Sequence, residues 1–280
     1  MKIGIGMPNP VRGTPGQALV DWARRAEERG FSGLATIDRI AYPSYDSLTT
    51  LAVAAGATSR IGLVPNILLA PVYPAVLLAK SAASLDQLSG GRLTLGLATG
   101  GREDDFTAVG VDFAARGRVF DESLALMHQI WAGEPSFAPG PIAGRVPILI
   151  GGGSKAAIRR GVTWAAGWTL GGAPAEYAGA YFAQVRDAWR QAGRDGEPRL
   201  AALVYFSVGD DAEDASRAYL RDYYGFIGPY ADQVAESALR TPEAIRGAVA
   251  AFTDAGCTEL YFDPTTSSVD QVDRLADLVL

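Results

Sequence analysis

The amino-acid sequence predicts a (β/α)8 barrel, and three observations carry that prediction. Short apolar segments alternate with helical segments eight times along the 280 residues. The apolar segments hold almost no internal charge, as parallel strands covered on both faces require. The length suits one barrel, and no linker, repeat or low-complexity tract divides it, so residues 1–280 are expected to form a single domain. A doubly wound open sheet is the structural alternative for such a pattern.

The first strand is residues 3–7. The helix after it, 15–29, places Leu19, Trp22, Ala23 and Ala26 on one face and Arg24, Arg25, Glu27 and Glu28 on the other; Gly30 stops it. Strand two is 33–37, followed by a helix over 46–58. Strand three is 61–65, with a helix over 74–88 that Ser89-Gly90-Gly91 ends. Strand four is 92–98, and a long loop of mixed polarity covers 99–115. A helix at 117–131 leads into a Gly/Pro-rich stretch, 133–147. Strand five is 146–150 with a helix at 154–165, and a short strand six at 168–170 precedes a helix at 174–192. Strand seven is 200–208, followed by a helix and an irregular segment, 225–239. Thr241 caps a helix with Pro242 at its first position, running to 255. Strand eight is 258–262, and the last helix is 268–280.

Composition narrows the function. The net charge is −6 and no Lys/Arg cluster exceeds two or three residues, which argues against a nucleic-acid partner, because phosphate neutralisation needs a basic face. Cys257 is the one cysteine and His128 the one histidine, so Cys- or His-based metal clusters are not expected. Residues 61–79 are uncharged, but Pro65, Asn66, Pro71 and Pro74 interrupt them, and they read as strand, loop and helix start rather than a membrane span. The N-terminus reads as a strand rather than a signal peptide, which makes the cytoplasm the expected location.

A barrel of this kind places its active site at the C-terminal ends of its strands. The candidates there are Met7, Pro8 and Asn9; Asp38 and Arg39; 66–68; 99–103; 151–154; Gly171 and Gly172; and Asp263. The sharpest local pattern is strand five running into Gly151-Gly152-Gly153 and then Ser154, which can cap the next helix. Free amides and the helix dipole suit an anion such as phosphate, and an ordinary capped turn fits the same residues. Gly151, Gly153 and Ala156 also match a dinucleotide fingerprint, but the next strand ends without the acidic ribose ligand that fingerprint needs. Thr99-Gly100-Gly101-Arg102 forms a second glycine turn whose hydroxyl and guanidinium could bind phosphate or substrate; alternatively Arg102 pairs with Glu103 or Asp104. His128 falls on the apolar stripe Leu124, Met127, Trp131 of an outer helix and reads as a satisfied packing residue.

Several of these segments resemble the luciferase-like monooxygenases. They are 23–31 followed by Ile37-Asp38, then 57–61, 88–93, the segment from Gly110-Val111 to Arg118, and 150–154. The resemblance extends over nearly the whole chain. It implies a TIM-type barrel with inserted loops at its C-terminal face, binding FMN or the deazaflavin F420. The ring would lie against strand three, where many members have a non-proline cis peptide, by position Asn66-Ile67. The phosphate would lie near Thr99, Gly100 and Gly101 and near Gly152, Gly153 and Ser154. Many members carry His after the acidic residue of strand two, where this chain has Asp38-Arg39. Arginine does not shuttle protons at neutral pH, so Arg39 would either stabilise an anion or pair with Asp38.

The catalytic candidates are therefore Asp38, Arg39 and Asn66. The expected activity is oxygenation of a small organic substrate with O2 and reduced FMN, the latter supplied by a separate flavin reductase. Hydride transfer with F420 is the alternative, and a non-catalytic flavin carrier is a further one. The resemblance also implies a homodimer. The segments 99–115 and 223–230 are the expected lids over the site.

Overall fold

The computed structural model describes residues 1–133 and 139–280. Its strands, all parallel to their neighbours, are β1 (Lys2–Gly6), β2 (Gly33–Thr36), β3 (Gly62–Pro65), β4 (Leu68–Leu69), β5 (Leu95–Ala98), β6 (Ile148–Gly151), β7 (Gly167–Gly171), β8 (Arg199–Phe206) and β9 (Glu259–Pro264). Their order is β3-β2-β1-β9-β8-β7-β6-β5-β4. β3 and β4 are two halves of one barrel strand, so the two ends of that order meet and the ring has eight staves; a bridge from Leu63 to Leu93 ties the seam. This is the predicted (β/α)8 barrel rather than an open sheet.

The helices are α1 (Gly16–Arg29), α2 (Ser47–Ala57), α3 (Ala75–Ser89), α4 (Glu103–Ala108), α5 (Arg116–Trp131), α6 (Lys155–Trp164), α7 (Ala175–Gln191), α8 (Ala212–Tyr223), α9 (Tyr230–Glu236), α10 (Pro242–Asp254) and α11 (Asp270–Val279). Alternation along each strand separates two cores. Ala35, Val64, Leu149, Ala201 and Tyr261 pack inside the barrel. Tyr261 fits there because Gly4 and Gly33 face it; a Cβ on Gly4 would overlap its ring. The alternate residues, among them Ile5, Leu34, Leu97, Ile150, Trp168 and Phe262, pack outward against the helices.

Two polar side chains fasten the bottom of the barrel. The Glu27 carboxylate accepts from the amides of Ser59, Arg60 and Ile61 at 3.0, 2.6 and 2.8 Å. The Arg92 guanidinium donates to the carbonyls of Ala55, Thr58 and Ile61 and to the Thr58 hydroxyl. Both tie the α2–β3 turn to a neighbouring element.

The structure departs from the sequence expectation in a few places. The long loop after the fourth stave contains α4, whose first turn Glu103-Asp104-Asp105 suits the positive end of the helix dipole and whose Phe106 is buried. The irregular segment contains a 3-10 turn, Gly225–Ile227, and α9. The third stave is interrupted after Pro65 and resumes at Leu68. The Gly/Pro-rich stretch 133–147 lies partly outside the described residues. His128 is half-buried and packs beside Trp164, at 5.0 Å between ring centroids, and its Nε2 has no partner among the described residues.

Candidate active site

The interruption of the third stave builds one wall of the barrel mouth. The Asn66-Ile67 peptide is cis, the bond expected from the resemblance. Gly96 and Gly151 clear space for this bend: a Cβ on Gly96 would overlap the Pro65 carbonyl, and one on Gly151 would lie 3.2 Å from Ile67 Cγ2. Asn66 is buried. Its Oδ1 accepts from the Thr169 hydroxyl on β7, at 2.7 Å, and its Nδ2 has no partner among the described residues. Thr169 thus holds the Asn66 amide with its N–H group free inside the barrel.

Asp38 acts just behind the same wall. One of its oxygens accepts from Leu69 N at 3.0 Å and the other from the Tyr73 hydroxyl at 2.9 Å, pinning the chain after the bend. Burial raises its carboxyl to about 6, against the opposing effect of these two bonds.

Arg39 does not pair with Asp38. Its guanidinium meets Asp105 at 2.8 Å and Asp104 at 2.9 Å, and it is only 8% exposed. Asp105 also accepts from the amides of Ile40 and Ala41, at 2.8 and 2.7 Å. The pair joins the loop after β2 to α4, and both carboxylates neutralise the cation before any substrate could.

Gly151-Gly152-Gly153-Ser154 lies at the top of β6. Ser154 caps α6, its side chain accepting from Ala157 N at 3.1 Å. The Gly152 carbonyl is turned away and accepts from the Tyr181 hydroxyl at 2.8 Å, helped by a φ of 107° that only glycine adopts readily. The amides of Gly153 and Ser154 have no backbone acceptor among the described residues. Together with the first turn of α6 they leave amide donors at a helix N-terminus, an arrangement able to hold an anion. Thr99, Gly100 and Gly101 follow β5, the strand paired with β6, so both glycine turns stand side by side on one rim.

The two expected lids meet. Arg102 carries no ion pair among the described residues. Instead its guanidinium lies 4.2 Å from the Tyr223 ring and 4.3 Å from the Phe226 ring, and it donates to the Tyr223 carbonyl at 3.2 Å. α8 also crosses to the loops after β1 and β2, where Asp222 accepts from Arg12 at 2.8 Å and from the Tyr42 hydroxyl at 2.6 Å. An aromatic roof of Tyr42, Tyr205, Tyr219, Tyr223 and Tyr224 results.

Among the singled-out residues, Asn66, Ile67, Thr99, Gly100, Gly101, Gly152, Gly153 and Ser154 all lie on the rim formed by β3 to β6. Asp38 and Arg39 lie behind it and act on the backbone and on α4. Sequence reasoning named Tyr223 and Tyr224 as aromatics of the expected lid but passed over Thr169, Tyr42, Tyr205 and Tyr219. Thr169 had a signal, since it is the one hydroxyl in the apolar strand β7. Tyr42, Tyr205 and Tyr219 had none, because they come from three separate elements that only the closed fold brings together.

The luciferase-like monooxygenase family model matches residues 1–261. An uncharacterized protein of Mycobacterium tuberculosis is 30% identical over 245 residues, 74% of this chain and 84% of that one. An FMNH2-dependent dimethylsulfone monooxygenase of Pseudomonas putida is 25% identical over 221 residues, 71% of this chain and 60% of its own. An F420-dependent secondary alcohol dehydrogenase, solved with an F420-acetone adduct, superposes with a TM-score of 0.83 at 18% identity, covering 100% of this chain and 98% of the other.

Proposed function

Because this chain belongs to the luciferase-like monooxygenase family, we propose that it is a flavin-dependent oxidoreductase that oxygenates a small organic substrate with reduced FMN and O2. The observation that carries this reading is the rim itself. Amide donors at Gly153 and Ser154 share the rim with a buried Asn66 whose Nδ2 has no partner among the described residues, a donor set that suits a phosphate-bearing ring. The residues fit the cofactor: Gly153, Ser154 and Thr99 would hold its phosphate, with Gly100, Gly101 and Gly152 letting the backbone approach, and Asn66 with Ile67 would hold its ring. When bound, the reduced flavin supplies the electrons for dioxygen activation. The protein orients the ring through Asn66, fixed by Thr169, and excludes water with the aromatic roof.

Oxygenation is preferred over hydride transfer because of Arg39. The position that would hold an acid or base after the second strand carries a guanidinium held by two carboxylates, which moves no proton. F420-dependent hydride transfer is the second reading, favoured by the full-length superposition on the alcohol dehydrogenase. A separate flavin reductase, a cytoplasmic location and a single barrel domain belong to the main reading. So does a homodimer, for which α2, α3 and α5 offer the exposed Val53, Leu77 and Leu126.

The test is an anaerobic titration of the purified chain with FMN, FMNH2 and F420, followed by admission of air. Tightest binding of FMNH2, with reoxidation of the bound flavin on aeration slower than that of free FMNH2, is expected. Preference for F420 would overturn the oxygenase reading in favour of hydride transfer, and flavin binding without turnover would leave a carrier.

A further inference from the structure

The mouth has a second half, at the ends of β8, β9 and β1 beneath α8. It holds three buried polar atoms without a partner among the described residues: both carboxyl oxygens of Asp263 and the Tyr219 hydroxyl. Asp263 is 2% exposed. It follows Tyr261 by two positions on β9, so it shares that residue's inward face. Gly6 stands opposite, where a Cβ would overlap the carboxyl. Tyr205 is the register partner of Asp263 on β8, and its hydroxyl bonds that of Tyr224 at 2.7 Å. The Tyr219 ring lies 6.5 Å from that of Tyr205 and 5.7 Å from that of Tyr223.

Buried polar groups are nearly always paired, and three orphans in one compartment mark a place shaped for something else. We propose that Asp263 and Tyr219 anchor the substrate, together holding one hydrogen-bond-accepting oxygen of an uncharged, flat, largely apolar molecule. Asp263 has no partner among the described residues to stabilise a charge, and burial pushes its carboxyl well above the ordinary range, which favours the neutral form with its O–H. Burial likewise keeps the Tyr219 phenol protonated. The compartment therefore presents two donors and no formal charge, which selects against an anion and for a neutral acceptor. Its walls are aromatic rings and Leu203. A cavity of about 430 Å³ adjoins it at Leu203 and Tyr205 and runs toward Tyr230, Gln233 and Val234; neither Asp263 nor Tyr219 lines that cavity, so a ligand seated there reaches them past Tyr205. The proposal rests on the functional reading only in taking the β3-to-β6 rim as the cofactor's place.

The test uses acetophenone as probe, ethylbenzene as the same shape without the oxygen, and benzoate as the charged counterpart, each titrated into the purified chain by ligand-observed NMR. The wild type should bind acetophenone about tenfold more tightly than ethylbenzene, and benzoate most weakly. Tyr219→Phe and Asp263→Val should each bring the acetophenone-to-ethylbenzene ratio close to one, while Asp263→Asn, which keeps a donor, should retain most of it. Thermal midpoints of the three variants should equal or exceed the wild type, because an unpaired buried group is removed or made less costly. Equal binding of the two neutral probes by the wild type would overturn the proposal, as would undiminished discrimination in Asp263→Val. A lowered midpoint in Asp263→Asn would also overturn it, since that result means the carboxyl has a structural partner. FMN and F420 are titrated alongside: if neither binds the wild type, the functional reading fails while the probe ratio still decides the anchor.

Discussion

The Thr169 hydroxyl on β7 reaches across the barrel interior to Asn66 on the third stave, at 2.7 Å. Thr169 belongs to the sixth stave of the ring, so this bond links two strands that are not neighbours. Its effect is to present the Asn66 N–H group to the mouth. Thr169→Val should keep the fold and weaken flavin binding about tenfold, the effect of losing roughly one oriented hydrogen bond. Fluorescence titration of FMN into wild type and variant measures this, and equal affinities would detach Asn66 from the site.

The amide donors at Gly153 and Ser154 predict a contrast between two substitutions. Gly153→Glu puts a negative charge among the free amides, and its Cβ would stand 3.1 Å from the Tyr177 hydroxyl, so flavin binding should vanish. Ser154→Ala removes the cap of α6 and should cost about 1 kcal/mol of stability while weakening phosphate binding far less. Riboflavin, which lacks the phosphate, should bind wild type and Gly153→Glu with similar affinity.

Arg102 joins the two lids by stacking between Tyr223 and Phe226. Arg102→Ala should loosen the Gly225–Ile227 turn, seen as faster amide exchange and faster proteolysis there, with the barrel strands unchanged. Arg102→Lys should be intermediate, because an ammonium lacks the planar face that stacks on two rings. Exchange at the wild-type rate in Arg102→Ala would mean that the roof is held by Asp222 instead.

Arg39 and Asp105 form a buried ion pair, and the Asp105 side chain is fully enclosed. Arg39→Ala would leave that carboxylate with backbone partners alone and should destabilise the fold by about 3 kcal/mol, read from urea unfolding. If stability is unchanged while turnover falls, Arg39 touches the reacting groups rather than α4.

Two carboxyl groups give pH effects of opposite sign. Burial would raise Glu27, but three backbone N–H bonds outweigh it and hold the carboxyl at about 2, below its ordinary 4.5. Its stabilising effect is present above about pH 4.5 and is lost as pH falls towards 2. Asp38 is raised by burial from 3.8 to about 6, so its contribution is full below pH 3.8 and is lost as pH rises through 6. Unfolding followed from mildly acidic to neutral pH should therefore show a smaller decline in Asp38→Asn than in wild type. Glu27→Gln should flatten the acid limb and lower stability at neutral pH by about 1 to 2 kcal/mol. An unaltered acid limb would show that the α2–β3 turn does not depend on Glu27.

The segments that resemble the luciferase-like family illustrate why fold was easier to read than chemistry. Glu27, Ser59 to Ile61 and Arg92 come from three of those segments, and the structure joins them at the bottom of the barrel. They carry stability, which leaves the reaction unspecified. Only the segment 150–154 among them contributes directly to the mouth. The glycine turn before α6 was readable because it depends on residues adjacent in the chain, whereas the Asn66-Ile67 bend was expected only from the family resemblance. The segments 99–115 and 223–230 were readable as insertions after their strands, but their contact through Arg102 was not.

What the sequence alone determined is the periodic part: strand after helix, the caps at Gly30, Ser154 and Thr241, and the glycines before α6, all of which follow from interactions over a few residues. What only the tertiary structure decided is which polar atoms face one another across the ring. Thr169 met Asn66, Arg39 met Asp105 rather than its neighbour Asp38, and Asp263 was left without a partner among the described residues. Those outcomes depend on the stagger of eight strands and the fall of α8 over the mouth, and positions distant in the chain carry no local signal of where closure will bring them.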